Sequence, residues 1–154
     1  MERISYNDLP AGLIDAMLQV QTYIDKSGLD PLLLELMRTR VSQINSCAYC
    51  LDMHHKLALH MGETVQRLIS VSAWREAPYY SEKEQAVLEF AERLTRMPEE
   101  KHNHDIHEAL LKHFSKQEIA LLSLAVVQIN SWNRLMASFG TVVGNYKVPN
   151  TTAA

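Results

Sequence analysis

Both cysteines of the 154-residue chain lie in one short segment, NSCAYCLDMHH, at residues 45–55. Cys47 and Cys50 form a Cys-x-x-Cys pair, and His54 follows four residues after Cys50. One thiolate of such a pair can attack a peroxide oxygen or a disulfide sulfur, and the neighbouring thiol then converts the product to a disulfide. A nearby histidine and a carboxylate could move the protons. The spacing therefore indicates thiol redox chemistry.

Two other interpretations of the cysteine pair stay open. The first is a zinc site that uses His54 and His55, although Cys47 and His54 would lie about 10 Å apart along a helix axis. Structural zinc sites usually take their second ligand pair from a distant segment. The second is a pair of buried, unreactive thiols, because free cysteine often packs as a small apolar side chain. We favour redox chemistry, because a helix N-terminus stabilises a thiolate.

A helix that begins just before the cysteines would bring the reactive groups onto one face. Asn45 and Ser46 are both competent N-caps, and we predict that a helix begins there. On this helix Cys47, Cys50 and His54 would share one stripe. The Cα atoms of the two cysteines would lie about 5–6 Å apart, a distance that a disulfide accepts.

Other residues invite a functional interpretation. Glu35 interrupts the apolar sequence LLLELM, and periodicity alone makes it either a surface residue at a phase break or a buried functional carboxylate. His55 would point about 100° away from His54, in a surface or supporting position. We interpret HNHDIH, residues 102–107, as a solvated loop and helix start rather than a metal site. We expect Asn133 to make a buried hydrogen bond.

The remainder of the sequence predicts an all-α fold of about six to seven helices. Capping boxes, glycines and prolines mark the helix boundaries, and we find no convincing strand pattern. The last helix is apolar on nearly all sides in its early part, which is typical of a buried helix. The predicted helices cover residues 10–27, 31–44, 45–60, 63–74, 82–94, 104–113 and 116–139.

Length and composition predict a single domain that spans residues 1–154. The net charge is −3, and the 15 Lys and Arg residues are scattered among 18 acids, which argues against nucleic-acid binding. The N-terminus lacks the pattern of a signal peptide. The longest strongly apolar run, residues 119–127, is far shorter than the roughly 20 residues that span a bilayer. We therefore expect a cytoplasmic protein with no membrane or nucleic-acid partner.

These residues resemble a known family. Glu35, Cys47, Cys50 and His54 match the Glu…Cys-x-x-Cys-x-x-x-His signature of the AhpD-like alkylhydroperoxidases, which belong to the carboxymuconolactone decarboxylase superfamily. The segments RVSQINSCAYCLDMH, AWREAPYYSEKE and INSWNRLMASFG are similar to the peroxidase-related subgroup. The resemblance therefore covers most of the chain, about residues 30–140.

The resemblance implies an AhpD-like fold and a homo-oligomer, either a trimer or a hexamer. It also implies that Cys50 attacks a hydroperoxide substrate and that Cys47 resolves the resulting sulfenic acid. Glu35 and His54 would relay the proton through a water molecule. An external dithiol would reduce the disulfide, and no metal, haem or flavin cofactor would be required.

One residue departs from the family pattern. The best-characterised members carry a histidine just before the second cysteine, where this chain has Tyr49. A tyrosine, with a pKa near 10, cannot act as a base at neutral pH. We assign Tyr49 and His55 to the substrate pocket.

The alternative functions are a decarboxylase, whose chemistry does not call for a CxxC, and a non-enzymatic oligomer that uses the pair as a redox sensor or zinc site.

Overall fold

The computed structural model describes residues 2–97 and 104–149, and every regular element in these ranges is helical. The predicted all-α class is therefore confirmed. Short 3-10 turns at Tyr6–Asp8 and Val71–Ala73 accompany the α-helices. In chain order the helices are α1 (Leu13–Asp25), α2 (Pro31–Ile44), α3 (Ala48–His60), α4 (Val65–Ser70), α5 (Glu82–Thr95), α6 (His104–Leu111) and α7 (Lys116–Phe139).

The start of α2 follows the predicted capping pattern. Asp30 is the N-cap, and its side chain accepts hydrogen bonds from the backbone N–H groups of Leu32 and Leu33 at 2.9 and 3.4 Å. Pro31 occupies the first helical position, where its missing N–H leaves no intrahelical bond unmade. These local interactions fix the start of the helix that carries Glu35.

Capping boxes also begin α5 and α7 where the sequence predicts them. The Ser81 hydroxyl accepts from the backbone N–H of Glu84, and the Glu84 carboxylate accepts from the backbone N–H of Ser81. Ser115 and Glu118 repeat the arrangement at the start of α7. Each box satisfies two backbone N–H groups that have no partner within the helix.

Three other predicted helices are shorter than expected, and one of them, α6, ends at Leu111 rather than at residue 113. α1 begins at Leu13 rather than at residue 10, because Gly12 adopts a left-handed conformation with φ of 85°. The predicted helix at residues 63–74 is α4 followed by the 3-10 turn Val71–Ala73. These differences do not change the order of the helices.

The predicted start of α3 at Asn45 or Ser46 is wrong. Asn45 ends α2, and Ser46 adopts a left-handed conformation with φ of 53°. The N–H of Ser46 donates to the carbonyl of Gln43, and the N–H of Cys47 donates to the carbonyl of Ser42. This pair of bonds is the Schellman motif that closes many helices. Cys47 therefore ends this turn and is the N-cap of α3.

The core forms around α2, which packs against α3, α5 and α7. α7 buries one face along its length, from Ile119 to Phe139, whereas Ala120 and Val127 in its early part are exposed. No helix in the described ranges has the length and apolar character needed to cross a membrane. Each fully buried large side chain stabilises the fold by about 1.5–3 kcal/mol. The core includes Ile24, Leu34, Met37, Val87, Phe90, Leu122 and Ile129.

A buried carboxylate, Glu92, joins α5 to α2 and to the segment after the second 3-10 turn. Glu92 accepts hydrogen bonds from Arg40 at 2.5 Å, from Arg75 at 2.7 Å and from the indole of Trp74 at 3.0 Å. Burial raises the pKa of Glu92, but the bonds from Arg75, Trp74 and Arg40 outweigh it and hold the pKa below its ordinary value. The ionised acid thus fixes α2 in the bundle.

Candidate active site

The two cysteines form a disulfide at the junction of α2 and α3. Their Cα atoms lie 5.4 Å apart, within the range expected from the sequence. Both cysteines are buried and pack in an apolar cluster with Met136 and Phe139 of α7. The turn and the first turn of α3 therefore hold the two sulfur atoms within bonding distance.

The question about Glu35 is resolved in favour of a buried carboxylate, because only 2% of the residue is exposed. Its Oε2 lies 2.7 Å from Nδ1 of His54, which is also buried. Its Oε1 accepts a hydrogen bond from Arg38 at 2.7 Å. Arg38 in turn reaches Asp25 at 3.0 Å, on the more exposed side of the site.

The contacts of Glu35 keep it ionised. Burial raises the pKa of the Glu35 carboxyl, but His54 and then Arg38 oppose it, and the pKa lies below its ordinary value. An ionised Glu35 accepts from the Nδ1–H of His54, which leaves a lone pair on Nε2 in the neutral imidazole. Nε2 of His54 is buried and has no hydrogen-bond partner among residues 2–97 and 104–149. It is therefore available as a proton acceptor.

A cavity of about 570 Å³ lies over these residues. Cys50, His54 and Glu35 line it, whereas Cys47 does not. A molecule in the cavity would therefore meet Cys50 rather than Cys47. Most of the remaining wall is apolar and includes Ile14, Leu18, Met53, Leu57, Trp132 and Met136.

The structure separates the two residues that we assigned to the pocket. Tyr49 lines the cavity, whereas His55 is half-buried and does not line it. Burial raises the pKa of Tyr49, and the nearby Tyr6, Tyr146 and Asp52 raise it further. The Tyr49 hydroxyl is therefore protonated at neutral pH and can donate a hydrogen bond into the cavity.

Sequence analysis missed two residues of the site, Arg38 and Tyr146. Arg38 follows Glu35 by one helical turn on an apolar helix, a spacing that could have indicated an ion pair. Tyr146 lines the cavity from the C-terminal segment, which Lys56 anchors by donating to the carbonyls of Gly144 and Tyr146 at 3.2 and 3.0 Å. No local pattern indicates this contact.

The described residues contain no group of three or more His, Cys, Asp or Glu side chains that could hold a metal ion. The cysteines are bonded to each other, and His54 is bonded to Glu35. Of the HNHDIH cluster, residues 102 and 103 lie outside the described ranges. The arrangement at the cysteines is suited to thiol–disulfide chemistry.

Comparison with known proteins matches this site to one family. Residues 11–93 match the carboxymuconolactone decarboxylase family, and this range contains Glu35, both cysteines and His54. The uncharacterised protein YdfG of Bacillus subtilis strain 168 is 35% identical over 139 residues. The matched residues make up 90% of this chain and 95% of YdfG.

Solved structures show the same fold. A protein of unknown function from Agrobacterium tumefaciens, a candidate AhpD antioxidant defence protein, is 34% identical with a TM-score of 0.90, over 95% of this chain and 100% of that chain. The AhpD core of a peroxidase-related protein from Ralstonia eutropha JMP134 has a TM-score of 0.74 at 18% identity, over 85% of this chain and 70% of that chain. At that lower identity the likeness concerns the fold alone. The chain belongs to the carboxymuconolactone decarboxylase family and has the fold of its AhpD-like members.

Proposed function

We propose that the protein is a thiol peroxidase that reduces organic hydroperoxides through the Cys47–Cys50 pair. The observation that carries the proposal is that Cys50 and the Glu35–His54 pair line the same cavity. We assign Cys50 as the nucleophile, His54 as its base and Glu35 as the group that orients the base, beside a space for substrate. The similarity to a candidate AhpD antioxidant defence protein supports the same function.

The first step oxidises Cys50. Nε2 of His54 accepts the thiol proton of Cys50, directly or through a water molecule. The thiolate attacks the outer peroxide oxygen, the O–O bond breaks, and the alkoxide leaves as an alcohol after it takes the proton from His54. The sulfur becomes a sulfenic acid and the peroxide is reduced. Glu35 keeps the imidazole oriented and stabilises its protonated form.

The second step closes the disulfide. The Cys47 sulfur attacks the sulfur of the Cys50 sulfenic acid, the S–O bond breaks, and hydroxide leaves with the thiol proton as water. The product is the Cys47–Cys50 disulfide of the structure. An external dithiol then supplies two electrons and two protons and becomes a disulfide itself. The cycle thus consumes one hydroperoxide and one dithiol.

Stopped-flow kinetics of the reduced protein tests this proposal. We expect several organic hydroperoxides to consume the thiols rapidly, and added dithiol to sustain turnover. The matched control is Cys50→Ser, which keeps Cys47 and the cavity but lacks the attacking sulfur. A wild-type protein that oxidises once and does not turn over with dithiol would be a redox sensor and would contradict the proposal.

The two cysteines can be assigned separately. Cys47→Ser should form a stable sulfenic acid on Cys50 after exposure to hydroperoxide, because no thiol remains to resolve it. Cys50→Ser should form little sulfenic acid, because Cys47 does not line the cavity. Trapping with a sulfenic-acid probe, followed by mass spectrometry, measures both. Sulfenic acid on Cys47 alone would reverse the assignment.

We also propose that the protein acts as a homo-oligomer, a trimer or a hexamer. Tyr6, Leu18 and Met61 line the cavity and are also well exposed, at 63%, 47% and 45%. Contact with a second subunit would remove this apolar surface from water. Light scattering coupled to size-exclusion chromatography measures the assembly, and a monomer at micromolar concentration would contradict this proposal.

A further inference from the structure

The turn that presents Cys47 contains an unfavourable backbone conformation. Ser46 is left-handed, with φ of 53°, and it is the only residue other than glycine with positive φ in the described ranges. A side chain in this region costs roughly 1–2 kcal/mol relative to the right-handed form. Such a conformation persists where surrounding contacts hold it. The contacts that hold this turn therefore matter for Cys47.

Asn133 of α7 supplies these contacts. Its Oδ1 accepts a hydrogen bond from Asn45 at 2.9 Å, and its Nδ2 donates to Oγ of Ser42 at 3.1 Å. The carbonyl of Ser42 accepts the N–H of Cys47 at 3.0 Å. Asn133 is 2% exposed, so its amide has little access to water. One side chain thus holds both Ser42 and Asn45, which lie at the end of α2 just before Ser46.

We propose that Asn133 is a positioning residue for Cys47. It fixes the turn between α2 and α3 and thereby holds the Cys47 sulfur where it can reach Cys50. The role in turnover rests on the proposed peroxidase function, in which Cys47 resolves the sulfenic acid. Asn133 does not line the cavity, so it acts through the turn and not on the substrate.

Geometry explains why the resolving step is sensitive to this contact. A disulfide needs the two Cβ atoms about 3.5–4.5 Å apart with a restricted torsion angle. A displacement of about 1 Å can slow an oriented reaction by roughly a hundredfold. The attack of Cys50 on hydroperoxide does not involve Cys47. Loss of Asn133 should therefore slow the second chemical step and spare the first.

The test compares Asn133→Ala with Asn130→Ala. Asn130 lies on the same helix and accepts from the same Asn45 amide at 3.0 Å, and its replacement leaves the Asn133–Ser42 bond in place. We expect Asn133→Ala to slow disulfide formation roughly ten- to a hundredfold in a single turnover. Sulfenic acid should accumulate on Cys50, and when hydroperoxide is in excess a second hydroperoxide should oxidise it to sulfinic acid and leave as an alcohol. Asn130→Ala should resolve nearly as fast as wild type.

A second measurement does not depend on peroxidase activity. In a glutathione buffer, the equilibrium between the dithiol and the disulfide should shift toward the dithiol by roughly tenfold in Asn133→Ala, and little in Asn130→Ala. If wild type consumes no hydroperoxide, the peroxidase proposal fails and this equilibrium alone decides the role of Asn133. Unchanged resolution and equilibrium in a folded Asn133→Ala protein, or equal shifts in Asn130→Ala, would overturn the proposal.

Ser42→Ala provides a further variant if Asn133→Ala does not fold. It removes the hydroxyl that accepts from Asn133 but leaves the carbonyl that accepts from Cys47. We expect the glutathione equilibrium to shift in the same direction as for Asn133→Ala. A folded Ser42→Ala protein with the wild-type equilibrium would overturn the positioning role.

Discussion

Nδ1 of His54 lies 2.7 Å from Oε2 of Glu35, and both side chains are buried and line the same cavity as Cys50. The other carboxylate oxygen accepts from Arg38, so each oxygen of Glu35 has a partner. This arrangement holds the acid ionised and directs the free nitrogen of His54 away from Glu35. In the proposed mechanism the acid therefore acts on Cys50 through the imidazole.

Glu35→Gln should slow the oxidation of Cys50 by roughly 10²–10⁴-fold, because the amide cannot stabilise protonated His54. The reaction of the reduced variant with an organic hydroperoxide in a stopped-flow instrument measures this change. The matched control is Asp25→Asn, which neutralises the more exposed partner of Arg38. An equal loss of rate in both variants would show that the charge of the whole cluster matters rather than the Glu35–His54 contact.

The stability of the protein should fall in acid in a way that depends on Glu35. Burial raises the pKa of Glu35, but His54 and Arg38 lower it below its ordinary value of 4.5. Because the pKa of Glu35 is lower in the folded protein than in the unfolded chain, its ionisation adds stability that is fully present above the unfolded-state pKa. This stability is lost as pH falls through the folded-state pKa of Glu35.

Thermal unfolding from neutral pH to about pH 3 checks this linkage. As pH falls below the pKa that Glu35 has in the unfolded chain, the wild type should lose more stability than Glu35→Gln. The variant has no acid to protonate at that position. Glu92 also has a lowered pKa, but it is present in both proteins and cancels in the difference. Parallel pH profiles for the two proteins would contradict the assignment.

Tyr49→His should introduce a pH-dependent increase in the rate of Cys50 oxidation. Tyr49 lines the cavity, and burial keeps its hydroxyl protonated, so the wild-type residue cannot accept a proton at neutral pH. A histidine there would titrate near pH 6.5 and act as an additional base above that value. Rates measured on both sides of this pH test the change. Tyr49→Phe is the control for loss of the hydroxyl, and it should show no new pH dependence.

Local capping interactions explain why most of the fold could be predicted. Ser81 and Ser115 begin their helices through bonds to glutamates three residues ahead, so the signal lies within each short segment. The carboxylate, the cysteines and His54 were also recognisable, because their spacing matches a family signature. Burial of Glu35 could not be decided from periodicity, since it depends on Arg38 and on packing against α3.

Tertiary contacts explain the main error, which was the start of α3. Asn45 is a competent N-cap by residue type, but its amide donates to Asn130 and Asn133 of α7 instead. These partners lie more than eighty residues away in the sequence, and no local pattern indicates them. Tyr146 was missed for the same reason, because it lines the cavity from a segment that lies far from the cysteines in the sequence.

Ser46→Gly should stabilise the protein by up to about 1 kcal/mol. The left-handed conformation costs serine roughly 1–2 kcal/mol, and glycine avoids this cost but loses about 0.5–1 kcal/mol through its freer unfolded chain. Ser46 is exposed, so few side-chain contacts are lost. The control is Ala120→Gly at an exposed helical position of α7, which should destabilise the protein by about 1 kcal/mol. Chemical denaturation measures both changes. If Ser46→Gly destabilises the protein as much as Ala120→Gly does, the left-handed turn before Cys47 is not the native conformation.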